Sequence, residues 1–394
     1  AVATTLDLVG LGLATAAGAC AWRSLRFLSR TAIAPPGAPE SAVEGESREG
    51  VVVSLLVPAR NEQENIVACV RGLVRQGAGT EVLVLDDSSE DETAARARAV
   101  IAEHAARGTV IAGRALEPGW AGKSFACQQL GEAAQGEWLL FVDADVRMQA
   151  GGAASALRQA TSLGADVASF FPRYTGRHWG NRLVVPWLYY FLCALLPVPE
   201  VLRVRHPRLG VTIGQAILVR RDAYRRIGGH AVVRDRVIED VSLGIEAKRA
   251  GLRVALLDGR SWLECRMYTG TRGLVEGFAK NFHSAAALHP FQWLAMMSLL
   301  LLVGLRPWWR AIALPLSEAA VPIATVAVVT ATFAALLAHF RQRFEAVLLW
   351  PFSLAFLVAV SLVAGALARL GRPVPRRRRL VGGRPGPAHR QASS

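Results

Sequence analysis

Residues 138–145 read Trp138-Leu-Leu-Phe-Val-Asp143-Ala-Asp145, five apolar residues followed by two acids that stand one residue apart. An uninterrupted apolar run of this length predicts a strand that is buried on both faces. Such strands belong to parallel sheets, and the ligands of parallel sheets bind beyond the carboxyl ends of the strands. The run therefore predicts an α/β fold, and the acids mark the edge of the sheet where a ligand would bind.

The sequence before this run repeats the pattern of short apolar runs that alternate with helical stretches. We predict strands at residues 51–57, 81–85 and 138–142, and helices at residues 62–75, 92–104 and 125–134. Alternation of strands and helices with continuous apolar strands predicts an α/β domain with a parallel sheet.

An acidic loop, Asp86-Asp87-Ser-Ser-Glu-Asp91, follows the second predicted strand directly. Carboxylates at a strand end can accept hydrogen bonds from a uracil N–H group or from ribose hydroxyls. The alternative is a turn in which Asp and Ser side chains cap the next helix. The loop alone leaves both interpretations open.

Two further acidic motifs extend this pattern. Asp143 and Asp145 could share a hard divalent cation, which in turn would neutralise a diphosphate. Glu239 and Asp240 open a predicted helix that runs to Ala250. Acids at a helix start are favourable in any protein, but one of them could also serve as a general base. The three motifs together favour a catalytic interpretation.

The composition indicates a catalytic domain joined to a membrane part. The chain has 394 residues, of which 52% are hydrophobic and 19% are charged, and its mean hydropathy is +0.29. Disordered and collagen-like chains are excluded by this apolar content. More than half of the net charge of +14 lies in the tail from Arg369 onward, which has eight Arg and no acid. We therefore predict no nucleic-acid partner.

The five cysteines are far apart, so they are predicted to be free thiols.

Apolar segments flank the predicted domain on both sides. The run Thr4–Trp22 is followed by Arg23, Arg26 and Arg30, which predicts an uncleaved anchor whose arginine-flanked end is cytoplasmic. Residues 291–305, 319–338 and 346–368 are further candidate spans. If all three cross, the Arg-rich tail lies outside. If only the last two cross, the tail lies inside, which the charge rule favours, and the first segment is interfacial.

A fifth apolar run, Leu183–Leu202, contains Pro186, Pro197 and Pro199. A single crossing there would separate the acidic motifs on opposite sides of the membrane, so we predict an interfacial or re-entrant segment. The predicted organisation is an anchor at residues 1–22, a linker at 23–50, a catalytic domain at 51–288, a membrane region at 289–370, and a basic, disordered tail at 371–394.

The motifs together resemble family 2 glycosyltransferases of the GT-A fold. The resemblance rests on Val57-Pro58-Ala-Arg-Asn61-Glu62, the acidic loop, Asp143-Ala-Asp145 and Ile238-Glu239-Asp240, in that order. Finer features are similar to the membrane-bound branch that glycosylates carotenoids and hopanoid-type lipids. They are Gly119-Trp-Ala-Gly122-Lys123, Gly214-Gln215, Gly228-Gly229-His230, Arg266-Met-Tyr268 and Glu276-Gly-Phe-Ala-Lys280-Asn281.

The resemblance implies a Rossmann-like, mostly parallel GT-A domain with transmembrane helices on both sides, and a role for each motif. The expected nucleotide-sugar contacts are Pro58, Asn61, Glu62, Asp86, Asp87 and Asp143, with Lys123, Arg266 and Lys280 added on the basis of their charge. Asp145, with Asp143, would bind Mg²⁺ or Mn²⁺. Asp240 would be the base, supported by Glu239. Gln215 would lie on the acceptor side, and His230 would be either an acceptor contact or a hydrogen-bonded polar histidine.

The implied reaction is inverting transfer of one sugar, expected to be glucose, from a UDP-sugar to a hydroxyl of a membrane lipid. The Q-x-x-R-W motif of processive synthases does not occur after Asp240, which favours single transfer. Transfer to a polyprenyl phosphate or a glycerolipid is the alternative within the family. The alternative from another class is a catalytically silent membrane scaffold, which would have lost the acids that this chain retains.

The implied location is the bacterial plasma membrane, with several spans and a cytoplasmic catalytic domain. The sequence predicts no oligomeric state.

Overall fold

The computed structural model describes residues 2–33, 51–104, 107–176, 178–236 and 238–372. The strands are β1 (Val53–Ala59), β2 (Thr80–Asp86), β3 (Gly108–Ala112), β4 (Trp138–Val142), β5 (Val146–Met148), β6 (Val167–Phe171), β7 (Arg173–Tyr174), β8 (Ala216–Arg220), β9 (Val254–Asp258) and β10 (Leu263–Cys265). Seven of them form one sheet in the order β3-β2-β1-β4-β8-β6-β9, and β5, β10 and β7 form a smaller sheet.

The helices between residues 51 and 288 follow or connect the strands. They are α2 (Ile66–Leu73), α3 (Thr93–Glu103), α4 (Gly122–Ala133), α5 (Gly152–Ser162), α6 (Trp179–Leu183), α7 (Trp187–Ala194), α8 (Val198–Arg203), α9 (Arg221–Ile227), α10 (Glu239–Arg249) and α11 (Thr271–Leu288). The remaining helices are α1 (Val2–Thr31), α12 (Pro290–Leu299), α13 (Arg306–Ala313), α14 (Ala320–His339), α15 (Glu345–Leu348) and α16 (Trp350–Arg369).

The large sheet confirms the predicted α/β architecture. Within it only β8 runs antiparallel to its neighbours. Strands β4, β6 and β9 are buried along their whole length, as continuous apolar strands require. The three strands predicted from the sequence are present to within two residues. The helix predicted at 62–75 begins only at Ile66, because the preceding residues form a turn after Asn61, whose φ is 54°.

Among the described residues, four helical segments are long and apolar enough to cross a membrane: α1, the continuous helix Pro290–Ala313, α14 and α16. The second of these extends beyond the predicted 291–305 through a π-helical turn at Leu300–Leu305. Its far end is tied to α1 by Asp7, which is 5% exposed and forms ion pairs with Arg306 and Arg310. A carboxylate this deeply buried needs such partners, because an unpaired buried charge is very costly.

The run Leu183–Leu202 forms the short helices α7 and α8, and neither is long enough to span a membrane. Its interfacial or re-entrant position stays a prediction. Prolines at residues 186 and 197 precede α7 and α8, where the missing N–H costs little. Helix α7 connects the two parts of the molecule. Trp187 donates to Ser353 Oγ of α16 at 2.9 Å, whereas Tyr189 donates to the carbonyl of Pro172 at 2.7 Å.

Candidate active site

The predicted functional residues gather at one edge of the large sheet. The carboxyl ends of β1, β2 and β4 meet there, together with the amino end of the antiparallel β8. A cavity of about 200 Å³ opens at this edge. Its lining includes six residues predicted from the sequence: Pro58, Glu62, Asp87, Lys123, Asp143 and Asp145.

Lys123 joins two of the three acidic motifs. It lies in the first turn of α4, and its Nζ is 2.7 Å from Asp143 Oδ1 and 2.9 Å from Glu239 Oε1. Burial works against the ammonium, but the two carboxylates hold the pKa of Lys123 well above its ordinary value. Lys123 is therefore charged, and it holds the first residue of α10, Glu239, against the end of β4.

Glu239 and Asp240 are adjacent in sequence but differ in their affinity for a proton. Burial opposes ionisation of Glu239, yet the charge of Lys123 and its hydrogen bond lower the pKa of this carboxyl. Burial, followed by the negative charge of Glu239, raises the pKa of Asp240 to about 6. Asp240 Oδ2 accepts the N–H of Gly214 at 2.8 Å, and Oδ1 accepts the N–H of Val241 at 2.9 Å. Of the pair, Asp240 has the properties of a general base near neutral pH.

Asp145 has the properties expected of a cation ligand. Its Oδ1 atom is buried and has no hydrogen-bond partner among the described residues. Burial, followed by the charges of Asp143 and Glu62, raises the pKa of Asp145 to about 7. Within the described ranges, no three His, Cys, Asp or Glu side chains converge as a complete metal site. Two carboxylates with diphosphate oxygens and water still suit Mg²⁺ or Mn²⁺, so these residues fit a hard divalent cation.

The acidic loop faces the cavity through one of its acids and the following helix through another. Asp87 is 9% exposed, lines the cavity, and lies 3.5 Å from Arg60. Asp91 instead lies just before the following helix, where its carboxylate accepts the N–H and hydroxyl of Thr93, the first helical residue. Asp86 does not line the cavity, and its Oδ1 is buried without a hydrogen-bond partner in the described part of the chain.

Asn61 lies on the rim, where it fastens the acidic loop. Its N–H donates to Ser89 Oγ at 3.0 Å, and its Oδ1 accepts the N–H of Glu90 at 2.8 Å. The left-handed backbone at φ 54° is one that Asn adopts more readily than most residues. This loop-holding role was not predicted, and contact between Asn61 and a nucleotide stays a prediction.

The two predicted cations of the carboxyl-terminal motifs differ in position. Lys280, on α11, lies close enough for its charge to act on both Asp143 and Glu239. Arg266 approaches through its backbone, since its N–H donates to the carbonyl of Asp145 at 3.0 Å while its side chain is exposed. Arg266 is not among the residues that line the cavity, so its contact with a diphosphate stays a prediction.

The two predicted acceptor-side residues also lie near β4. The carbonyl of Gln215 accepts the N–H of Asp143 at 3.2 Å. His230 is 3% exposed, and its Nδ1 lies 2.8 Å from the hydroxyl of Tyr224. Burial lowers the pKa of His230 to about 4, so the ring is neutral. Of its two predicted roles, this position favours the hydrogen-bonded polar histidine.

The sequence did not predict that Gly214 holds Asp240 or that Arg60 lines the cavity. Gly214 contacts Asp240 through its backbone N–H across 26 positions, and no side-chain pattern signals such a contact. Arg60 could have been predicted, because it follows the end of β1 directly at the ligand-binding edge of the sheet.

The sheet and the position of its acidic edge are those of the GT-A class of glycosyltransferase folds. The solved mannosyltransferase PcManGT of Pyrobaculum calidifontis, in complex with GDP-Man and Mn²⁺, superposes with a TM-score of 0.53 over 93% of this chain and 100% of its own. Its sequence identity is 19%, so this likeness shows the fold alone. Residues 54–228 match the model of glycosyl transferase family 2, the family that the motifs resemble.

Two curated relatives are similar over a longer region. The 4,4'-diaponeurosporenoate glycosyltransferase of Staphylococcus haemolyticus is 27% identical over 254 residues, which is 62% of this chain and 64% of the relative. The enzyme of the same name from Staphylococcus aureus strain MRSA252 is 27% identical over 239 residues, which is 59% of this chain and 61% of the relative. The alignments thus span less than two thirds of either relative.

Proposed function

We propose that this protein is an inverting glycosyltransferase that transfers one sugar from a UDP-sugar to a hydroxyl of a carotenoid- or hopanoid-type membrane lipid, with glucose as the expected sugar. The observation that carries the proposal is the single cluster of Lys123, Asp143, Glu239 and Asp240 at the carboxyl edge of the sheet. The names of the carotenoid-modifying relatives support the class of acceptor.

The donor end of the site is the cavity itself. Asp87 offers a carboxylate to the nucleoside hydroxyls or to a base N–H, and Lys123 and Lys280 offer positive charge to the diphosphate. Preorganised cations of this kind stabilise the charge that develops on the leaving group. Asp145 and Asp143 would hold Mg²⁺ or Mn²⁺, which when bound neutralises further diphosphate charge.

Asp240 acts at the acceptor. It accepts the proton of the lipid hydroxyl while that oxygen attacks the anomeric carbon, and the nucleoside diphosphate leaves from the opposite face. The new bond inverts the configuration at that carbon. Because Glu239 is held ionised by Lys123, the proton goes to the carboxyl with the raised pKa. General-base assistance of this kind contributes about 10²- to 10⁴-fold in rate.

A second cavity supports an apolar acceptor. It has a volume of about 280 Å³ and lies between α1, α7, α14, α16 and residues 299–304, with an almost entirely apolar lining. Trp187 and Tyr190 of α7 line it, while Tyr189 of the same helix binds the catalytic domain. We propose that part of the lipid chain occupies this space, so that the acceptor reaches the site without leaving the bilayer.

The proposed orientation places the catalytic domain in the cytoplasm of a bacterium, on a multi-pass membrane region. Arg23, which follows the apolar part of α1, is 2.6 Å from Glu200 of the catalytic region. At the end of α14, His339 Nε2 is 3.0 Å from Asp258 Oδ2 at the end of β9. The domain therefore sits at the arginine-flanked end of α1, the end that the positive-inside rule assigns to the cytoplasm.

A carboxylate acceptor is the second candidate, because the relatives are named for an acid, diaponeurosporenoate. A carboxylate needs no base, whereas the raised pKa of Asp240 suits a hydroxyl. Transfer to a hydroxyl should fall strongly in Asp240→Asn, and transfer to a carboxylate should not. Measuring both acceptors with the wild type and this variant separates the two candidates.

The deciding experiment uses membranes that contain the full chain and a panel of labelled nucleotide sugars, with Asp240→Asn as the matched inactive control. The expected result is label in the organic extract from one UDP-sugar, bound to an apolar lipid and absent with the control. Label on a polyprenyl phosphate or a glycerolipid would replace the acceptor assignment. Absence of transfer to every acceptor class would support the silent scaffold instead.

A further inference from the structure

Two of the hydrogen bonds that hold Asp240 come from one segment, residues 201–214, which we call the brace. At its end, Gly214 donates its N–H to Asp240 Oδ2 at 2.8 Å. Two residues earlier, the hydroxyl of Thr212 donates to the backbone carbonyl of Asp240. The brace thus forms hydrogen bonds with both the side chain and the main chain of the proposed base.

The brace is in turn fastened to the large sheet. Ser169 lies on β6, and its hydroxyl donates to the carbonyl of Ile213 at 2.9 Å and accepts the N–H of Ile213 at 2.8 Å. Ser169 and Thr212 are both fully buried. A buried hydroxyl with satisfied hydrogen bonds holds its partner rigidly. Breaking the contact would leave buried polar groups without hydrogen bonds and out of reach of water, which costs free energy.

The rest of α10 is docked on the other end of the brace. Gly210 and Gly244 touch through their backbones, because a Cβ built at Gly210 would lie 2.3 Å from the carbonyl oxygen of Gly244. Lys248 is 3% exposed, and its Nζ donates to the carbonyls of Val201 and Val204 at 2.5 and 2.7 Å. Helix α10, whose second residue is the proposed base, is therefore held near both of its ends.

We infer that Thr212 and Ser169 are positioning residues for Asp240: they hold the Gly214 N–H and the start of α10 so that the carboxylate keeps one orientation toward the acceptor. This inference rests on the proposed function. Neither residue lines the donor cavity, so their effect should fall on turnover and leave donor binding intact. A displacement of the base by a fraction of an ångström is enough to slow the reaction, because near-attack geometry is strict.

The test compares two variants at one position. Thr212→Val keeps the shape but removes the hydroxyl, whereas Thr212→Ser keeps the hydroxyl. We expect Thr212→Val to lower kcat about 10- to 100-fold with an unchanged KM for the UDP-sugar, and Thr212→Ser to restore most of the rate. Ser169→Ala should behave like Thr212→Val. Thr161→Val is the matched control, because Thr161 also donates to a backbone carbonyl, that of Leu157, on the exposed side of α5.

Four outcomes would overturn the inference: normal kcat in Thr212→Val, equal losses in Thr212→Ser and Thr212→Val, a loss in Thr161→Val as large as in Thr212→Val, or a loss of UDP affinity that matches the loss of kcat. UDP binding, measured on the same preparation, shows that each variant is folded. If Thr212→Val does not fold, Ser169→Ala decides the question by the same criteria. An active Asp240→Asn enzyme would refute the proposed base itself, whereas an inactive Asp240→Asn with a normal Thr212→Val would refute only the positioning role.

Discussion

Replacing Lys123 with Met tests the centre of the proposed site. The change keeps most of the side-chain length but removes the cation between Asp143 Oδ1 and Glu239 Oε1, which lie 2.7 and 2.9 Å from its Nζ. Asp145 and Asp240 lie in the same neighbourhood. In the variant, the carboxylates of Asp143 and Glu239 face one another without the ammonium of Lys123. Lys280 is a nearby cation whose charge still acts on both.

The expected effect on catalysis is larger than the effect on stability. Two unit charges 4 Å apart interact by about 4 kcal/mol at an effective dielectric constant of 20. However, 39% of the Lys123 side chain is exposed, so solvent screening reduces each ion pair to about 1 kcal/mol. A preorganised charge on a leaving group is worth about 2.7–4 kcal/mol in the transition state, or about 10²- to 10³-fold in kcat. We therefore expect a folded protein with a severely reduced rate.

The assay is transfer of labelled sugar to lipid extract, with UDP affinity measured on the same membranes. Lys123→Met should lose turnover by about 10²- to 10³-fold, and Lys123→Arg should retain part of it because it keeps the charge. Arg114→Met is the control, because Arg114 forms an exposed ion pair with Glu132 of α4 away from the cavity. Wild-type turnover in Lys123→Met would refute the assignment of this lysine to the diphosphate and would leave it as a structural link between two loops.

Three further predictions concern the neighbouring groups. Activity should disappear in EDTA and return with Mg²⁺ or Mn²⁺, and Asp145→Asn should not respond to added metal; full activity in chelator would refute the cation site. The pH profile of kcat/KM should rise through about pH 6, because the raised pKa of Asp240 leaves it protonated and unable to act as a base at lower pH; a profile that is flat from pH 5 to 8 would contradict the base assignment. Gly214→Ala should lower turnover without unfolding the domain, because a Cβ there would lie 3.0 Å from Asp240 Oδ2 and 3.4 Å from Lys123 Nζ; an unchanged rate would show that this close approach does not matter.

Features encoded in local patterns could be predicted from the sequence. Strand β4 was predicted at its observed bounds because five consecutive apolar residues are followed by two acids that cannot continue a buried strand. The meeting of Asp87 and Asp143 follows from parallel pairing, since the strands before them end at the same edge. The free state of the five cysteines was also predicted, and all five are free.

Contacts between residues that are far apart in the chain could not be predicted in this way. The ion pairs of Lys123 with Asp143 and Glu239 join residues 20 and 116 positions apart, and the packing of α4 against β1 and β2 brings Lys123 within reach of both. The hydrogen bond from Gly214 to Asp240 depends on the antiparallel direction of β8. Because of this direction, the first residue of β8, and not its last, lies at the ligand edge. Hydrophobic periodicity does not specify strand direction, so the sequence carried no signal for it.

The antiparallel direction of β8 also explains how the proposed acceptor-side residues come to lie at the same edge of the sheet as the proposed donor-side residues. Parallel strands bring only their carboxyl ends to the ligand edge, and in this sheet those ends carry Asp87 and Asp143 on the proposed donor side. Reversing β8 brings the chain that enters the strand to the same edge, together with the brace that precedes it. That chain comes from α8, whose Glu200 forms an ion pair with Arg23 of α1, the proposed membrane anchor. One strand reversal thus places the proposed base between the proposed donor edge of the sheet and the segment that leads to this anchor.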